Sequence, residues 1–244
     1  MAVQRLNLKQ IEDAILQIMG FDSSENAPWK TSATLYQRIN EYGQRLPMRL
    51  NQIARETNVP TPVHFDMWKS SCNSSTTGTT VVLVAASSAT IYFPTDYDHT
   101  ISLYDITNKR PIQLIDNVDK WHYERLVHGP AGPPRYVEIG GFASDGAAAW
   151  RRTATLYPAT ESGVTPSVRL KYWRIPAAMT ATVAAQAQSQ YPDVDPKYES
   201  LFIYGPVIDL ARIDLARQQN LGFEQWVRLE RELLVEMLST CRSI

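Results

Sequence analysis

Along the first sixty residues, apolar positions recur at three- and four-residue intervals. Leu8, Ile11, Ile15, Ile18 and Met19 share one helical face, with Asn7 placed to cap its start and Gly20 to stop it. A polar, Pro-containing stretch (DSSENAPWK) follows. Thr31 or Ser32 then caps a second helix carrying Leu35, Ile39, Tyr42, Leu46, Leu50 and Ile53. The apolar phase survives Pro47, which removes a backbone donor and crowds the preceding turn, so a kink or restart is expected there rather than an end. From Pro60 the period changes. Ser/Thr-rich turns separate VVLVAA (81–86), TIYF (90–93), TISLYDI (100–106) and PIQLI (111–115), all rich in β-branched and aromatic residues. After a short helical or irregular stretch at 118–126 and the turn-forming GPAGPP, the strand texture resumes in RYVEIGG, ATLYP and SVRLKYWRIP. The tail returns to helix: Asp195 caps, Pro196 suits the first helical position, and Tyr198, Leu201, Ile208, Ala211 and Leu215 share a face. A break at 220–222 precedes a last helix with Phe223, Trp226, Leu229, Leu233 and Met237.

No helix pair here can bury its apolar stripe alone, so the economical arrangement packs the first two helices against the last two. The chain therefore reads as α+β, a helical bundle from the N- and C-terminal helices with an inserted all-β domain, sandwich or barrel. The expected parts are residues 1–60 (N-terminal helices), 61–192 (β-rich domain) and 193–244 (C-terminal helical hairpin packing with the N-terminal helices).

With 244 residues, 44% of them hydrophobic and 20% charged, the chain is large enough for a substantial core in one or two domains. The formal net charge is −1 and no Lys/Arg run is present, which argues against nucleic-acid binding as a primary role and leaves self-association electrostatically unopposed. Cys72 and Cys241 make neither a disulfide framework nor a four-Cys zinc site, and are expected to be reduced. The opening MAVQRLNLKQ lacks a long apolar run, and 81–86 is too short to span a bilayer, so neither export nor a membrane anchor is expected.

The order of these elements, together with local signatures, resembles the head-to-tail adaptor (connector) family of tailed bacteriophages. The signatures are a first helix ending in glycine, a loop with Trp29, and LYQRINEYGQRL with its Ile39-Asn40 pair; then RRTATLYPATESGVTPSVRLKYWRIPAAMT as a final hairpin; then SQYPDVDPKYESLFIYGPVIDLAR as a Pro/Asp-rich loop opening a helix. The segment 117–150 fits no motif of that family. The resemblance implies a structural virion protein of the neck or tail, assembled in the host cytoplasm, with no enzymatic activity, cofactor or metal. Its partners would be further copies of itself in a ring, usually a dodecamer, the portal protein, and a tail or nozzle protein. DNA would pass through the channel without sequence recognition, and no membrane would be involved. Proteins of this type anchor to the portal through their C-terminal helix or tail. Here Met237, Leu238, Cys241 and Ile244 keep the end apolar and Arg242 adds a cation, so these five are the portal-binding candidates. The plainer reading is that Leu238 and Cys241 complete the helical core.

Candidate chemistry is sparse. His122 and Glu124, with His128 nearby, would need a third converging ligand to hold a metal, and they lack H-E-x-x-H spacing. Asp193 and Asp195 lack the rest of a calcium loop. Asp96, Asp98 and Asp116 could serve as glycosidase carboxylates only at a suitable separation across a cleft. No nucleophile elbow or phosphate-binding glycine loop is present. Gly140, Gly141 and Gly146 read as a hairpin turn or a contact loop. The aromatics Trp68, Trp121, Tyr123, Trp150, Tyr172 and Trp173 supply the alternative function, a carbohydrate-binding β-module of a tail fibre or baseplate. Exposure separates the two, since a binding module displays coplanar rings and an adaptor buries them.

Overall fold

The computed structural model describes residues 5–20, 31–61, 63, 65–75, 82–84, 89–129, 131–145, 149–159, 165–180, 184–213 and 222–240. The helices are α1 (Leu8–Ile18), α2 (Ser32–Glu56), α3 (Val118–Val127), α4 (Ala184–Ala187), α5 (Leu201–Ile213) and α6 (Phe223–Ser239). The strands are β1 (Lys69–Ser75), β2 (Val82–Val84), β3 (Thr90–Tyr92), β4 (Tyr97–Asp105), β5 (Arg110–Leu114), β6 (Tyr136–Ser144), β7 (Trp150–Tyr157) and β8 (Val168–Arg174). The chain divides into two compact units, Met1–Met67 with Pro176–Ile244, and Trp68–Ile175.

In the first unit, Asn7 caps α1 reciprocally: its side chain accepts from the Gln10 amide, and the Gln10 side chain accepts from the Asn7 amide. Gly20, at φ +66°, ends the helix in the left-handed region. Thr31 caps α2, which continues through Pro47 as one element without restarting. The stripe Leu35, Ile39, Tyr42, Leu46, Leu50 is buried. Helix α5 packs on α2 by exchange of aromatic rings for glycines. A Cβ on Gly205 would lie 1.9 Å from Tyr42 Cε2, and one on Gly43 would lie 2.7 Å from Phe202 Cε1. The two rings themselves meet edge to face, 6.0 Å between centroids.

Three buried carboxylates tie this unit together. Glu12 of α1 accepts from Tyr36 and Lys9. Glu199 accepts from Arg5 Nε (2.7 Å) and the Leu6 amide, fastening the approach to α1. Glu230 of α6 accepts from Tyr42 (2.9 Å) and Arg49 (2.5 Å), both on α2. Residues up to Met67 and from Pro176 onward belong to this unit. Asn51 Oδ1 accepts from the Val63 amide, and the Asn40 amide exchanges two bonds with the backbone of Met179, both 2.8 Å.

The second unit is a closed barrel in the order β1-β2-β3-β7-β6-β5-β4-β8, with β8 returning to β1 through five registered pairs from Lys69↔Trp173 to Asn73↔Arg169. All neighbours are antiparallel except β1 with β2 and β5 with β6. Inward positions alternate along the strands, and Val82, Ile91, Leu103, Ile112, Val137, Leu156 and Leu170 fill one core. Irregular registers occur on β4 and on β6, where Gly140 and Gly141 stand against Thr153. A Cβ on Gly140 would fall 2.7 Å from Thr153 Oγ1, whose hydroxyl donates to the Gly141 carbonyl. The glycine pair is therefore a bulge within a strand rather than the turn or contact loop expected; Gly146 lies outside the described residues.

The expected α+β class, a helical bundle carrying an inserted sandwich or barrel, is corrected by this closure. The principal architecture is a closed eight-stranded β-barrel with its own core, and the helices are not the body on which it is organised. The physical reason lies in pairing: once β8 hydrogen-bonds to both β1 and β4, no sheet edge remains to be covered by helices.

Candidate functional site

The barrel's parallel step from β5 to β6 is bridged by α3. Asn117 starts it by accepting from the Asp119 and Lys120 amides (2.8 and 3.1 Å). Only one side of α3 packs on the barrel, with Trp121 set against Ile115, Tyr157 and Tyr136. The Tyr157 hydroxyl donates to the carbonyls of Arg125 (2.9 Å) and His128 (2.5 Å), holding the end of the helix down. At 100° per residue, Tyr123, Leu126 and Val127 project from the side opposite Trp121. Leu126 is 86% exposed and Tyr123 62%, so α3 is apolar on two opposite faces and covers only one of them.

A second exposed apolar feature sits at the β6–β7 hairpin. Asp145 and Arg151 form an ion pair at 2.6 Å with both side chains buried, and Asp145 also exchanges bonds with Ala149. This ties the end of β6 to the start of β7. The registers Ser144↔Trp150 and Phe142↔Arg152 place Phe142, Trp150 and Arg152 on one face. Trp150 is 72% exposed, and the Arg152 guanidinium lies 5.4 Å from the Phe142 ring centroid.

The residues singled out in the sequence do not converge on a reactive centre. His122 is exposed, whereas His128 Nε2 lies 3.1 Å from Glu124 and 3.3 Å from the Tyr136 hydroxyl, a ladder that holds α3 against β6. Among the described residues no group of three or more His, Cys, Asp or Glu could hold a metal ion. Asp96 accepts from Tyr172 (3.0 Å), and Asp98 and Asp116 are exposed on separate segments. Asp193 accepts from the Ala177 amide and Asp195 from the Lys197 amide, capping a single 3₁₀ turn, Pro196–Tyr198. Both aspartates line an open cleft of about 480 Å³ beside Arg5 and Tyr191, where Arg5 is already held by Glu199. Of the six aromatics, Trp68, Trp121, Tyr172 and Trp173 are buried. Of the five portal-binding candidates, Met237 and Leu238 are buried on α6, and Cys241, Arg242 and Ile244 lie outside the described residues. No described helix is long and apolar enough to cross a membrane.

Sequence reading passed over Leu126, Val127, Phe142 and the Asp145–Arg151 pair. The signal for the first two was present: in VDKWHYERLV the apolar positions fall on opposite sides of one helix, a pattern for two partners rather than one. Phe142 and Arg151 carried no such signal, because strand register decides their neighbours.

A scan against protein-family models finds no matching family, and a search of curated proteins finds no match.

Proposed function

We propose that the chain is a structural virion subunit, a head-to-tail adaptor whose copies form a ring under the portal and join it to the tail around a DNA channel. It acts by binding and carries no cofactor. The observation that carries this reading is the solvent-facing apolar side of α3, with Tyr123, Leu126 and Val127 turned away from the barrel that anchors Trp121. Monomeric proteins rarely leave such a side bare, and contact between neighbouring subunits would remove it from water. The exposed pair Phe142 and Trp150 is a second, chemically different patch on the same unit. Two unlike patches are what a head-to-tail contact between identical subunits needs in order to close a ring. Burial of four of the six aromatics, and the guanidinium over the Phe142 ring, leave little of the flat platform a sugar-binding module requires.

The test is electron microscopy of the purified chain with and without portal, beside the variant Tyr123→Ser, Leu126→Asp. The chain is expected to stack coaxially on the portal as a ring, and the variant to remain folded but dispersed. A chain that stays monomeric and ignores portals at micromolar concentration would overturn the proposal.

A further inference from the structure

The outer face of the barrel where β1, β8 and β4 adjoin carries Arg169 and Lys171, with no carboxylate registered opposite either. The register of β8 with its two neighbours sets three cross-strand rows. Arg169 stands between Asn73 and Tyr104, and Lys171 between Ser71 and Ser102. Trp173 stands beside Lys69, whose ammonium lies 4.7 Å from the indole centroid. Arg169 and Lys171 are exposed, and their alternates Val168, Leu170 and Tyr172 fill the core, so both point outward. Among the described residues neither makes an ion pair; Arg169 Nε donates to the Asn73 amide oxygen at 3.1 Å, which orients the guanidinium and leaves its charge uncompensated. The same asymmetry exists in the chain as a whole. Residues 68–175 hold 11 Lys and Arg against 9 Asp and Glu, whereas the remaining residues hold 13 against 16, so a small cationic excess lies in the barrel unit.

We infer that this face contacts the phosphate backbone of nucleic acid. The two cations lie two residues apart on one strand, about 7 Å, and are flanked by serine and asparagine groups that donate to phosphate oxygens equally well. An acidic protein partner fits less well, because stable protein contacts are built around an apolar centre, and the only sizeable exposed apolar side chain in these rows is Tyr104. Contact of this kind is independent of sequence and weak for each subunit, and it is multiplied when several copies face the same duplex. The inference rests on the strand registers and does not require the ring.

The test uses the full chain and a labelled mixed-sequence duplex DNA, followed by fluorescence anisotropy across a salt series. Wild type is expected to bind at low salt and to release as salt rises. The double variant Arg169→Glu, Lys171→Glu is expected to lose at least about tenfold in affinity and to flatten the log K against log salt slope by about 2, one phosphate contact for each cation. An Arg45→Glu, Arg228→Glu control, with the same change of net charge on the helical unit, is expected to bind as wild type, and thermal melts verify that all variants are folded. Absence of wild-type binding at low salt, equal binding by the double variant, equal loss in the control, or tighter binding of poly-glutamate than of DNA would each overturn the inference. Ring assembly on the portal without DNA binding would refute this face alone and leave the adaptor reading standing.

Discussion

The ring of Tyr42 on α2 occupies the volume that a side chain on Gly205 of α5 would need, since a Cβ there would lie 1.9 Å from Tyr42 Cε2. In an isolated helix Gly205→Ala would be favourable by about 1 kcal/mol. Here the sign reverses, because the fully buried ring cannot withdraw without opening the contact. Gly205→Ala is expected to destabilise the helical unit by about 3 kcal/mol, read from urea unfolding, and Tyr42→Leu in the same background to restore part of the loss. A neutral Gly205→Ala would show that α2 and α5 are looser than described.

Glu230 is buried, and its two oxygens are each engaged by an α2 side chain, Tyr42 and Arg49. Removing the carboxylate leaves a guanidinium partly shielded from water without its partner. Glu230→Ala is therefore expected to cost about 3 kcal/mol and to raise amide hydrogen exchange along α6 before it does so in α1. Uniform acceleration in both helices would mean that α6 is not separately fastened.

Barrel stability is expected to fall in alkali. Burial pushes the Cys72 thiol from 9.0 to about 11 and the Tyr172 hydroxyl from 10.0 to about 12. Both groups keep their protons longer in the folded state than in the unfolded one, so their contribution is complete below pH 9 and is lost as pH rises towards 12. Denaturant melts between pH 8 and pH 11 should show the decline, and Cys72→Val with Tyr172→Phe should flatten it, whatever the variants do to stability at pH 8. An unchanged slope would place the responsible groups elsewhere.

Gly140→Val tests the bulge on β6. The added side chain meets Thr153 Oγ1 and displaces the bond from that hydroxyl to the Gly141 carbonyl, so a loss of about 2 kcal/mol in barrel stability is expected. Thr153→Ala in the same chain should recover much of it, by vacating the space.

What could be read from the residues in order was local. Asn7 and Thr31 as caps, Gly20 as a stop, Asp195 before Pro196, and the strand texture of β7 and β8 each depend on neighbours within one or two turns, where steric and hydrogen-bonding preferences are set by adjacent side chains. Register and closure are long-range. Nothing near Lys69 announces that it lies beside Trp173, nothing near Gly140 announces Thr153, and the Gly140-Gly141 pair looks like part of a turn until the opposing strand shows it to be a bulge within β6. The same holds for charge. Arg169 and Lys171 belong to no basic run, and Glu12, Glu199 and Glu230 are ordinary surface residues by composition. Only packing makes the first pair an uncompensated face and the three glutamates buried ties. A side chain's electrostatic role depends on what surrounds it in three dimensions, and here those neighbours come from segments up to 194 residues away along the chain.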